Sequence, residues 1–113
     1  MVDLETQMKI DTLLDFSYDK TMERMNAIEE APRHSIYKTT CVRRGDYASF
    51  LFAESNYYLG CFEGIFFVRF LEEFNRMPIP SENAFIKESV ESKFRDLLKS
   101  AVAVADKHWK NTQ

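Results

Sequence analysis

The sequence predicts an all-α fold, a small bundle of three main helices around a long central one. Three observations lead there. The 113 residues include only three Gly and three Pro, too few for a sandwich or barrel, which needs turn residues about every 8–12 positions. With 45% hydrophobic and 14% aromatic residues, the chain can build a packed core and is far from a disordered composition. The apolar residues recur at helical spacing in three long stretches, punctuated by Pro32 and by Pro78 and Pro80. One domain over 1–113 is expected at this length.

The first helix is expected over 3–30, with Asp3 as N-cap and Glu5 in the first turn. Leu14, Tyr18, Thr21, Met25 and Ile28 line one face at alternating four- and three-residue spacing, and Leu13, Phe16 and Met22 widen it. Asp15 or Ser17 offers a second cap, so Phe16–Asp19 is a candidate break. Pro32 ends the segment and disfavours helix at Ala31.

Residues 33–45 read differently, because Tyr37, Thr39, Thr40, Cys41 and Val42 favour extended backbone. A single short strand has no partner in this chain, so the irregular or short extended segment is a loop, an extended arm or a strand paired with another copy, of which an ordered loop is expected.

Residues 46–76 read as the central helix, introduced by Gly45 and capped by Asp46. It would be about 46 Å long at 1.5 Å per residue, long enough that part should project or pack on another chain. Between Tyr57 and Leu71 it is apolar on almost every side, which calls for burial on most of its surface. Phe62, Phe66, Phe67, Phe70 and Phe74 supply more aromatic area than two flanking helices are expected to cover. Residues 77–83 form a linker. Ser81 is the expected N-cap of a last helix running from Glu82 to about Lys110, with Ile86, Val90, Phe94 or Lys93, Leu97, Ala101, Val104 and His108 as its stripe. His108, beside Trp109 near the C-terminal end, is placed to meet the helix dipole.

The candidate contact surface lies on the central helix. Ser49, Ala53, Gly60 and Gly64 share one side of it, and small residues so spaced let a second backbone approach closely. Each Gly costs about 1 kcal/mol of helix stability relative to Ala, so a compensating contact is expected. That contact is this chain's own first or last helix, a second copy in a homodimer, or a foreign helix or ligand. The expected interface comprises Ala53, Tyr57, Gly60, Cys61, Gly64 and Phe67. Glu63, between the glycines, is either a buried carboxylate with a perturbed pKa or part of a narrow polar strip with Asn56 and Glu73; the strip is the plainer reading.

Charge is unevenly spread over a net of −3. Residues 1–30 carry eight acids and three bases, whereas Arg33, Lys38, Arg43 and Arg44 make residues 31–44 purely basic. This basic segment is a second candidate partner-binding site. It can match an acidic protein surface or this chain's own first helix, or grip phosphates with Tyr37 to stack a base. The acidic first helix counts against non-specific nucleic-acid binding.

Several chemistries lack their residues. There is no Glu-x-x-His for a di-metal bundle, no Cys-x-x-Cys and no glycine-rich phosphate loop. The clustered acids of all-helical nucleotide pyrophosphatases are incomplete, because Arg33 and Arg76 stand where the third acid would follow Glu29-Glu30 and Glu72-Glu73. No catalytic residue, cofactor or metal is assigned. Cys41 and Cys61, with no basic and apolar leader ahead of them, suggest reduced thiols in the cytoplasm. Glu54, Asn56, Glu63 and Arg69 interrupt every window long enough to span a membrane.

The expected function is therefore non-catalytic: a protein-binding regulator, adaptor or inhibitor, acting as a homodimer. Phage-encoded inhibitors of bacterial defence systems, such as anti-CRISPR proteins, share this general size and composition, without a motif to connect them. The alternative is a nucleic-acid-binding module that uses residues 33–44.

Overall fold

The computed structural model describes residues 1–27 and 36–111, which form α1 (Leu4–Ala27), α2 (Ile36–Arg44), α3 (Tyr47–Phe74) and α4 (Pro80–Asn111). No strand occurs among the described residues. Helices α1, α3 and α4 pack against one another, and α2 lies against α3. The Cα atoms span 51 × 23 × 23 Å. The 28 residues of α3 need about 42 Å, and its buried residues run from Phe50 to Phe70, so the neighbouring helices cover most of the length that was expected to project or pack on another chain.

Local chemistry explains the helix limits. Asp3 Oδ1 accepts the Thr6 N–H at 2.8 Å, which starts α1. The helix continues through Phe16–Asp19. There the Ser17 hydroxyl donates to the Leu13 carbonyl at 2.7 Å and the Thr21 hydroxyl to that of Ser17 at 2.8 Å, so both polar side chains are satisfied within the helix and no break is needed. Ile10, Leu14, Ser17, Thr21 and Met25 form its buried face. Ile28, expected on the same face, lies outside the described residues.

Residues 36–44 are helical, which corrects the expected irregular or extended segment. The β-branched and aromatic residues there have only a weak local preference. Tertiary contacts override it, because Cys41 is buried and Lys38 reaches an acid on α3. Gly45, at φ +66°, supplies the left-handed turn out of α2.

Asp46 caps α3 as expected, accepting from the Ser49 N–H at 3.1 Å and the Ser49 hydroxyl at 2.8 Å. Asn75, left-handed at φ 55°, closes it with its N–H on the Leu71 carbonyl at 2.8 Å. Helix α4 begins at Pro80, where the missing N–H costs nothing. Ile79, not Ser81, is therefore the cap residue. Glu82 reaches back to the Ile79 N–H at 3.0 Å and takes a two-pronged bond from Arg76 at 2.7 and 2.8 Å. Arg76 holds the Glu82 carboxyl below the usual range.

The core explains why α3 is apolar on all sides. Phe50, Glu54, Tyr58, Phe62, Phe66 and Phe70 are all buried, one every fourth residue. Each such step turns about 40° around an α-helix, so the buried line winds roughly half-way round α3. At successive levels it meets residues of the neighbouring helices, among them Ile10, Leu14, Val90 and Leu97. Phe62, Phe66 and Phe70 are enclosed, and Phe67 and Phe74 pack against the same cluster. The expected surplus of phenylalanine area is thus covered within one chain.

Candidate interaction surface

The side of α3 opposite the core is open. Phe52, Asn56, Gly60, Gly64, Val68 and Glu72 also recur every fourth residue, each two positions after a core residue, and all are exposed. Phe52 is 69% exposed, Val68 60%, Leu71 48% and Tyr57 43%. At Gly60 and Gly64, no atom of the described residues beyond their own helix lies within 4 Å of where a Cβ would stand. The crossing with this chain's own first or last helix, expected from the glycine spacing, is therefore not made. The glycines face outward because the buried line passes on the other side of the helix at their level.

Beside Gly64 the open side deepens into a groove of about 700 Å³ between α1 and α3. Phe16, Lys20 and Arg24 of α1 form one wall, and Ile65, Val68, Arg69 and Glu72 of α3 form the other. The Arg24 guanidinium donates to the Tyr57 hydroxyl at 2.7 and 3.1 Å. That of Arg69 lies over the Phe16 ring, 4.6 Å from its centroid.

The sequence-derived interface residues fall largely on this side. Tyr57, Gly60 and Gly64 are exposed, and Ala53, Cys61 and Phe67 are half-buried at its margins. Glu63 is exposed beside the glycines, in keeping with a polar strip. Phe52 and Val68, the most exposed apolar side chains of the face, were not singled out by sequence. Their signal was available as the second of two parallel four-residue series, offset by half a turn.

The basic segment divides. Arg33 lies outside the described residues. Arg43 and Arg44 are exposed in the last turn of α2, where cations suit the helix dipole. Lys38 turns inward, with Nζ 2.5 Å from Glu54 Oε1, and so does not belong to a basic surface.

Glu54 is the acid that sequence reasoning overlooked, having counted it only as an interruption of the apolar run. It is 3% exposed, and its second oxygen lies 2.9 Å from Nδ1 of His108, itself 1% exposed. A carboxylate only accepts, so this ring nitrogen donates. His108 lies in the last turn of α4, as expected, and from there joins α4 to α3 in the interior. Burial, and next the nearby charge of Glu54, push the Tyr58 phenol up to about 12. At the same end Trp109 packs edge-on against Tyr47 and Phe50, with centroids 5.4 and 5.2 Å apart. Helices α2, α3 and α4 are thus joined by one largely buried cluster, in which Lys38 ties α2 to α3 and His108 ties α4 to it.

Both cysteines are free thiols, Cys41 buried and Cys61 half-buried. Among the described residues, no group of three or more His, Cys, Asp or Glu side chains gathers as a metal site, and no helix is long and apolar enough to cross a membrane. Comparison with protein families, characterised proteins and solved structures finds no match to this chain.

Proposed function

We propose that this protein is a non-catalytic, protein-binding regulator, adaptor or inhibitor of the cytoplasm, and that it docks its target on the outward side of α3. The observation that carries this reading is the exposed four-residue series of α3, in which Phe52, Gly60, Gly64 and Val68 are interrupted by Asn56 and followed by Glu72, with Leu71 exposed beside it. Exposed apolar side chains such as Phe52 and Val68 are candidate anchors for a partner. Two adjacent glycine positions let a partner's backbone come close, which offsets their helix cost.

Two other readings draw on specific features. A homodimer uses the same series, with α3 crossing its counterpart near Gly60. A nucleic-acid role has less to work with, because Lys38 is engaged by Glu54 and leaves Arg43 and Arg44 as the exposed cations of α2.

The test is affinity purification from the native host at low salt, with nuclease treatment, using wild-type protein and Phe52→Glu. A stoichiometric protein that survives nuclease and is lost with Phe52→Glu supports the proposal. Recovery of nucleic acid alone, abolished by Arg43→Glu and Arg44→Glu, replaces it with the nucleic-acid reading. Sedimentation of the purified chain reads the homodimer directly.

A further inference from the structure

We propose that the α1/α3 groove is a docking site for a short amphipathic helix bearing carboxylates on its flanks, supplied by a partner protein. This rests on the protein-binding reading above and specifies the chemistry of what is bound.

The shape comes first. The groove follows α3 from Gly64 to Glu72 and α1 from Phe16 to Arg24, nine residues on each, which at 1.5 Å per step between them is about 12 Å. That is roughly two helical turns, enough to seat apolar side chains at i, i+3 or i+4, and i+7. Gly64 removes a side chain from the floor, and Ile65, Val68 and Phe16 make the remaining surface apolar.

The charge decides the occupant. Lys20, Arg24 and Arg69 rim the groove against a single acid, Glu72, in a chain whose net charge is −3. Arg69 is the one cation of α3, and Lys20 and Arg24 are two of the three on α1. Of the acids of α1, Asp15 pairs with Lys93 of α4 at 2.7 Å, while Glu23 stands beside the rim, against Lys20. Tyr57 holds the guanidinium of Arg24 in place, and the Phe16 ring does the same for Arg69, so little freedom is lost when carboxylates arrive. The existing ion pairs, Lys20 with Glu23 at 3.5 Å and Arg69 with Glu72 at 3.7 Å, are exposed and weak, hence readily exchanged.

The same rim disfavours a second copy here. A two-fold contact presents one patch to itself, so six cations would meet with four glutamates among them, two of Glu23 and two of Glu72, which leaves like charge facing like charge. Nucleic acid, which could stack on the Phe16 ring, is the competing occupant that the experiment tests.

The experiment selects displayed 14-residue helical peptides, with the full chain as target, and counter-selects on Gly64→Leu. Oligonucleotide competition and sedimentation of the free chain run alongside. The expected consensus has apolar residues at i, i+3 or i+4, and i+7, flanked by Asp or Glu. The best synthetic peptide should lose about tenfold or more in affinity to Gly64→Leu and several-fold to Lys20→Glu, and should weaken as salt rises. Circular dichroism confirms that each variant is folded, and Gly64→Ala serves as a mild second variant.

A neutral or basic consensus overturns the proposal. So does displacement of the selected peptide by a single-stranded oligonucleotide, or a homodimer that Gly64→Leu dissociates. If no peptide is enriched while a native partner is still lost with Phe52→Glu, the groove assignment falls and the protein-binding reading stands. If that partner is absent as well, both fall.

Discussion

Replacing Gly60 or Gly64 with Ala should stabilise the free protein. Both sit inside α3 on its exposed side, and a methyl group at either position meets no described atom beyond its own helix within 4 Å. Neither position has the left-handed backbone that demands glycine, since Gly45 is the positive-φ glycine among the described residues. Two terms therefore remain, the backbone freedom that glycine retains in the unfolded chain and its poor helix propensity. Together they are worth about 0.5–1 kcal/mol per site. The double variant should gain roughly 1–2 kcal/mol, and a domain of this size rises by about 4 °C per kcal/mol. Urea and thermal unfolding followed by circular dichroism, at several protein concentrations, measure this directly. The substitutions should also weaken binding of whatever packs on α3, so that stability and association move in opposite directions. A loss of more than about 0.5 kcal/mol on Gly60→Ala would refute the reasoning, because a backbone must then already lie against that side in the species being unfolded. If the loss appears only at high protein concentration, that backbone belongs to a second copy.

Two further outcomes test the interior. Glu54→Gln leaves Lys38 and His108 without their shared carboxylate and should cost about 3 kcal/mol in urea unfolding; a cost below about 1 kcal/mol would mean that the cluster does not hold α2 on the bundle. Glu82→Gln should remove a pH-dependent share of stability. The folded carboxyl lies below its ordinary 4.5 because Arg76 bonds it, so its contribution is present above that value and disappears as pH falls through the folded pKa. The stability gap between wild type and variant should thus be constant near neutrality and close in acid; a gap that persists unchanged to about pH 2 would show that the ion pair is not its source.

Much of the helical plan was legible because it rests on local chemistry. Asp3 and Asp46 cap the helices they were expected to cap, through side-chain bonds spanning three residues. The stripes on α1 and α4 were readable because each faces a fixed side of the bundle. On α3 the same reasoning was misled. Its burial winds around the axis, so residues on every side are apolar although only one side is covered at any level. Averaged over the helix this pattern mimics a span buried all round, which is why a second chain was invoked to cover Phe62, Phe66 and Phe70. Glu54 was missed for a related reason, since nothing local distinguishes a carboxylate that will meet Lys38 from one that will meet water.

The sequence by itself determined an all-helical chain and most of its helix limits, because caps, prolines and apolar periodicity act over a few residues. It also placed the glycines on one side of α3. Only the tertiary structure decided which way that side faces. It drew α2 into a helix against its β-prone residues, turned Lys38 and His108 inward onto Glu54, and left Phe52, Gly60, Gly64 and Val68 in the open. The physical reason is that burial belongs to pairs of surfaces far apart in the chain, Glu54 and His108 being 54 residues apart, and no local pattern records which surfaces will meet.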